Sequence, residues 1–166
     1  MGSGKKTRMP KAEKLTIIVD TQEKRPYRFE RITPRPQIKV ISLATGDYTI
    51  EGFEDNIAVE RKSLIDAFGS FGKGRERFEK ELERMVLLDF AAVVIEGDWL
   101  QILRNPPSRT NFKPKAFYAS VIAWQQRYGV HFWVCPNRAF AEKTTYRILE
   151  RFCKDEETRR VRTSGN

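Results

Sequence analysis

The order of apolar and polar positions along the chain sets out strands first, then helices, then strands and helices in alternation. Leu15 to Val19 is a β-branched and nearly continuous apolar run, the pattern of a strand covered on both faces, and Asp20 closes it. Pro34 and Pro36 break the chain, after which Gln37 to Leu43 reads as a second strand with Ile38, Val40 and Leu43 as core candidates. Ala44-Thr45-Gly46 turns it into a third extended piece, Asp47 to Ile50. Glu51 to Asn56 has the composition of a hairpin turn and leads into a strand from Ile57 to Lys62. The two-residue period of that strand puts Glu60 and Lys62 on one face and Arg61 on the other, and hairpin pairing carries Asp47 toward Glu60.

The period changes after Lys62. Ser63 suits a helix N-cap with Asp66 in the first turn, where the helix dipole favours an acid. Leu64, Ala67, Phe68 and Phe71 share one face of a short helix, and Gly69, Gly72 and Gly74 lack phosphate-fingerprint spacing and read as a flexible turn. A helix follows from Arg75 to Leu88 with Phe78, Leu82 and Met85 inward; the mixed signs on its outer face suit solvent better than DNA. Phe90 to Glu96 is a buried strand, and a short helix near Trp99 precedes an Asn105-Pro106-Pro107 loop long enough to touch a substrate. Asn111 is the expected cap of a helix whose stripe of Phe117, Val121, Trp124 and Tyr128 suits a core or a protein interface. Val130 to Cys135 is the last strand, with His131 structural, and a helix through Phe140, Ile148 and Phe152 ends the fold. The expected division is a basic, disordered leader over 1–14 whose Gly-Ser-Gly opening resembles a cloning remnant, one domain over 15–153, and a disordered charged tail over 154–166.

Composition narrows the classes. With 166 residues, 40% of them hydrophobic, the chain can bury a core unaided. No apolar run approaches the roughly 18 residues that cross a bilayer, and no secretory leader is evident, so an intracellular protein without a membrane partner is expected. Cys135 and Cys153 make neither a metal-ligand spacing nor a disulfide framework and read as reduced thiols. The net charge of +9, from 31 Lys and Arg against 22 Asp and Glu, favours a polyanionic partner, because neutralising phosphates releases counterions.

Charge alone does not choose between DNA, RNA and an acidic membrane; the stretch from Gly46 to Arg77 does more. Two carboxylates, Asp47 and Glu60, beside the amine of Lys62 suit a hard-oxygen site for a small divalent cation and hydrolysis of a phosphodiester. The ordered words Gly46-Asp47-Tyr48, Glu60-Arg61-Lys62, Asp66 and Gly74-Arg75 resemble the nuclease domain of the XPF family of structure-specific DNA endonucleases, over about Leu15 to Cys153. That resemblance implies an α/β, restriction-endonuclease-like fold: a mixed central sheet flanked by helices. It implies Mg²⁺, with Mn²⁺ as a substitute, on Asp47 and Glu60, and Asp20 as a further ligand or an orienting group for water. Asp20, Asp47, Glu60 and Lys62 are then the catalytic candidates, with Glu23, Arg61 and Asp66 in support. Arg61, Lys73 and Arg75 are the candidate DNA contacts, Arg61 either clamping a phosphate or bracing Asp66. Where the family reads Asp-x-Arg-Glu, this chain has Asp20 and Glu23 but Gln22 in place of the arginine, and Glu79 stands where glutamine is common. The expected partners are branched or flap DNA and a second chain, in a homodimer or heterodimer. Alternatives are a catalytically silent DNA-binding scaffold, and a nuclease of the same fold without branch preference.

Overall fold

The computed structural model describes residues 15–164. Strands β1 (Thr16–Asp20), β2 (Gln37–Ile41), β3 (Tyr48–Ile50), β4 (Ile57–Ser63), β5 (Phe90–Glu96) and β6 (His131–Cys135) form one six-stranded sheet in the order β2-β1-β3-β4-β5-β6. β1 runs parallel to β2 and antiparallel to β3, β3 antiparallel to β4, and β4, β5 and β6 parallel to one another. The sheet is therefore mixed, as expected, with the antiparallel strands at its centre.

Helices cover both faces because the strands are apolar on both. Ile57, Val59, Ala92 and Val94 face a core completed by α5 (Arg138–Ser164), through Ala141, Tyr146 and Leu149. Val93 and Ile95, one residue out of phase, face a second core built by α1 (Leu64–Phe71), α2 (Arg75–Met85) and α4 (Pro114–Tyr128). A short α3 (Trp99–Arg104) joins β5 to α4, its start capped by the Asp98 carboxylate, which accepts from Gln101 N at 2.8 Å. Ser63 caps α1 as read from the sequence: its Oγ accepts from Asp66 N at 3.1 Å and donates to Asp66 Oδ2.

Three expectations need correction. β2 lies at the sheet's edge, so Ile38 and Val40 are 37% and 65% exposed rather than core. α4 starts on Pro114 after Lys113, where a fixed φ suits the first helical position, and not on Asn111. Its aromatic stripe lies in the core, one of the two places expected for it, with Trp124 edge-on to Phe71 and Phe78, while Tyr118 and Ile122 are exposed on α4. The segment assigned to a disordered tail continues α5 to Ser164. Its alternating charges fall at helical spacing, and Arg151–Asp155, Lys154–Glu150 and Arg159–Glu156 pair along the helix. The leader over 1–14 lies outside the described residues. Cys135 and Cys153 are buried and unbridged, and His131 stacks on Phe90 with ring centroids 4.7 Å apart. Among the described residues no helix is long and apolar enough to cross a membrane.

Candidate active site

The site forms where the central antiparallel strands meet α1 and α2. Gly46 takes a left-handed φ of 72°, and a Cβ there would sit 2.9 Å from Ala58 Cβ, so only glycine lets the turn before β3 lie this close to β4. The next residue is thereby held on three sides. Asp47 N donates to Val59 O at 3.0 Å, Asp47 O accepts from Asp20 N at 2.9 Å, and Asp47 Oδ2 accepts from Arg61 N at 2.7 Å.

Alternation along β4 then divides its polar end between the two faces of the sheet. Glu60 and Lys62 point to the α1/α2 side, where Lys62 Nζ donates to Glu60 Oε1 at 3.0 Å and lies 4.6 Å from the centroid of the Phe78 ring. Their side chains are only 15% and 12% exposed. They open into a cleft of about 600 Å³, lined also by Glu23, Asp47, Asp66 and Arg77. The expected convergence of Asp47, Glu60 and Lys62 is present.

Burial, and after it the negative charge of Glu60, pushes the Asp47 carboxyl up to about 8. Burial likewise raises Glu60, although the Lys62 ammonium pulls the other way. Two acids that resist ionising together are what a cationic ligand relieves. Among the described residues no group of three or more His, Cys, Asp or Glu stands ready to hold a metal.

The Arg61 side chain goes to the opposite face, although the residue also borders the cleft. Its Nε and Nη2 donate to Glu96 at 2.7 and 3.0 Å, and its Nη1 lies 3.4 Å from both Glu23 oxygens. Glu96 also accepts from Tyr27 OH at 2.9 Å and from Arg138 Nη1 at 2.8 Å. Burial opposes the charged forms of both Arg61 and Glu96. The hydrogen bonds between them outweigh it, holding the guanidinium above its ordinary range and the carboxyl below its own. The Arg61 side chain is 6% exposed and held between Glu96 and Glu23 at the border of the cleft. It steadies β4, whose Arg61 N holds Asp47.

The remaining candidates separate. Glu23 reaches the cleft and accepts from Arg25 N at 2.6 Å, and Asp66 lines the cleft from α1. Asp20 is not among the lining residues; its Oδ1 accepts from Leu43 N at 2.9 Å, tying β1 to the loop after β2. Arg75 turns inward, donating to Ser120 Oγ at 2.8 Å and lying 4.5 Å from the centroid of the Trp124 ring. Glu79 accepts from Trp124 Nε1 at 2.9 Å, so its carboxylate braces the α2–α4 core. Lys73 is exposed, in a neighbouring cleft. Glu96 is the residue that sequence reasoning passed over, since only the parallel pairing of β4 with β5 brings it to Arg61.

Fold and cleft together define the class: a mixed-sheet α/β domain with two acids and a lysine gathered at the ends of adjacent central strands. The family model of the ERCC4 domain matches residues 19–148, and the chain belongs to that family. The likeness to XPF nuclease domains read from the central stretch is thus borne out. The fold is similar to that of XPF from Aeropyrum pernix, with a TM-score of 0.63 and 23% identity, covering 85% of this chain and 61% of that one. It is similar also to XPF from Aeropyrum pernix in complex with DNA, with a TM-score of 0.62 and 24% identity, covering 87% of this chain and 66% of that one. The chain therefore spans less than two thirds of the length of either structure. No curated protein matches it.

Proposed function

We propose that the protein is a metal-dependent DNA endonuclease that hydrolyses phosphodiester bonds beside branches or flaps. The observation that carries this reading is the meeting of Asp47, Glu60 and Lys62 in one cleft, with both acids held above their ordinary range chiefly by burial. Asp47 and Glu60 would hold Mg²⁺, or Mn²⁺ in its place; such an ion supplies Lewis-acid stabilisation of charge on a phosphate and a more acidic water.

The chain's own groups do the rest. Lys62 presents the Nζ donors that now meet Glu60 to a phosphate oxygen or to the attacking water, stabilising negative charge as it develops. Arg61 N fixes the rotamer of Asp47 through Oδ2, and Arg61's own side chain is fixed by Glu96, so the acid is positioned before substrate arrives. The +9 net charge supports a polyanionic substrate. Membership of the ERCC4 domain family, and a similar fold solved on DNA, favour DNA as that polyanion.

The test is a panel of fluorescent flap, splayed-arm, four-way and linear duplexes with Mg²⁺, Mn²⁺ or EDTA. Cleavage of the branched substrates in either metal and none in EDTA is expected. Equal cutting of the linear duplex removes the branch preference, and no cutting of any substrate removes the endonuclease.

A further inference from the structure

A second cleft, of about 400 Å³, adjoins the first; Ile65 and Gly69 on α1 line both. Its walls carry Lys73 and Arg109 and no acidic side chain. Both cations are exposed, and among the described residues neither makes an ion pair. The contrast with α5 is direct, because Arg147, Arg151, Lys154 and Arg159 there are each matched by an acid of the same helix. Unmatched cations around a concave wall are an anion site in waiting.

The loop that forms the far wall is pre-shaped. Thr110 N donates to Pro107 O at 3.2 Å and Thr110 Oγ1 accepts from Phe112 N at 3.1 Å. A Cβ on Gly72 would lie 3.3 Å from Phe112 Cβ and 3.2 Å from Phe68 O, so glycine at this position lets the loop close against the end of α1. Gly69 has no such reason. It sits inside a helix, where glycine costs about 1 kcal/mol relative to alanine, and an added Cβ would meet nothing within 4 Å. The space it leaves open is the passage between the two clefts. Ile65, an apolar side chain 71% exposed, stands beside that passage.

We propose that this second cleft binds the DNA strand next to the scissile phosphate, Lys73 and Arg109 taking a backbone phosphate and Ile65 and Phe112 contacting sugar or base. The inference rests on the endonuclease reading and extends it to the path of the strand: out of the Asp47–Glu60 cleft, over Gly69, and under the 105–112 loop. A strand so held has its reacting phosphate placed by contacts one step removed from the chemistry, which is where specificity for a frayed or single-stranded flank would arise.

The test measures binding of a labelled flap in EDTA across a salt series, for the wild type, the double variant Lys73→Ala/Arg109→Ala, and Gly69→Leu. Each phosphate contact contributes about 0.7–0.9 to the slope of log affinity against log salt, so loss of the one phosphate shared by Lys73 and Arg109 should make the double variant's slope shallower by about one. Gly69→Leu, which adds bulk at an exposed position of α1 without changing charge, should weaken binding while its circular dichroism stays that of the wild type. Shortening the substrate one nucleotide at a time should cost the wild type affinity on one side of the cut, and cost the double variant nothing at that length. A double variant with the wild-type slope and the wild-type length profile overturns the subsite while leaving cleavage by the wild type intact. A wild type that neither binds nor cuts DNA overturns the endonuclease reading and this inference with it.

Discussion

Replacing Glu96 by alanine takes the shared anion out of a cluster of four side chains, and the size of the effect follows from what each loses. Arg61 is left with a side chain 6% exposed and only Glu23, at 3.4 Å, in place of contacts at 2.7 and 3.0 Å. Removing one partner of a buried pair costs about 3–5 kcal/mol, and the remaining Glu23 contact holds the figure to the lower half of that range. Tyr27, itself buried, loses the acceptor of its hydroxyl, which adds about 1 kcal/mol. The Arg138 side chain is 38% exposed and its lost contact adds little. The sum is about 4 kcal/mol, which for a domain of this size lowers Tm by roughly 10 °C, read by differential scanning calorimetry at pH 7. Because folding depresses the Glu96 pKa, its contribution is present above the unfolded value near about 4.3 and is lost as pH falls through the folded one. The gap between wild type and variant should therefore close in acid. A shift under about 2 °C at pH 7, or a gap that widens in acid, refutes the assignment of Glu96 as the anchor of Arg61.

Asp47→Asn should stabilise the metal-free protein. A group whose folded pKa is raised contributes its stability below the unfolded value and loses it as pH rises through the folded one, here about 8, so the variant's advantage in Tm should open between pH 4 and 8 and vanish below. Millimolar Mg²⁺ should raise the Tm of the wild type and leave Asp47→Asn unmoved; equal shifts would place the ion elsewhere. Self-association is expected through apolar side chains that the outer helices leave exposed, Ile122 on α4 and Phe140 on α5. A sedimentation coefficient that rises with concentration, and falls back in Phe140→Asp, would bear this out, and a strictly monomeric profile at high concentration would count against it.

The parts of the molecule that sequence made legible are those governed by local period. Alternation along β4 separated Glu60 and Lys62 from Arg61, the hairpin brought Asp47 alongside, and Ser63 with Asp66 marked the start of α1. What pairing decides over longer distance was not legible. Glu96 lies 35 residues from Arg61 and outside the motif, and no local pattern joins them. Asp20 ends its strand as expected, yet its carboxylate is taken by a backbone amide of the loop after β2, a partner that only the β1–β2 pairing supplies. β2 has the composition of a core strand, but its place at the edge leaves Ile38 and Val40 in solvent. The charge pattern after Lys154 suits either a solvated coil or a helix stitched by ion pairs, and the burial of Cys153 and the packing of Phe152 on Phe53 favour the helix.

Single-turnover cleavage of a labelled flap in Mg²⁺ by the wild type, Asp47→Ala and Lys62→Ala bears most directly on the claim that these side chains form one hydrolytic centre. Both variants should lose at least about 10²-fold in rate while still binding the DNA, since each removes a group aimed at charge that develops in the reaction. Wild-type rates in either variant would contradict the account.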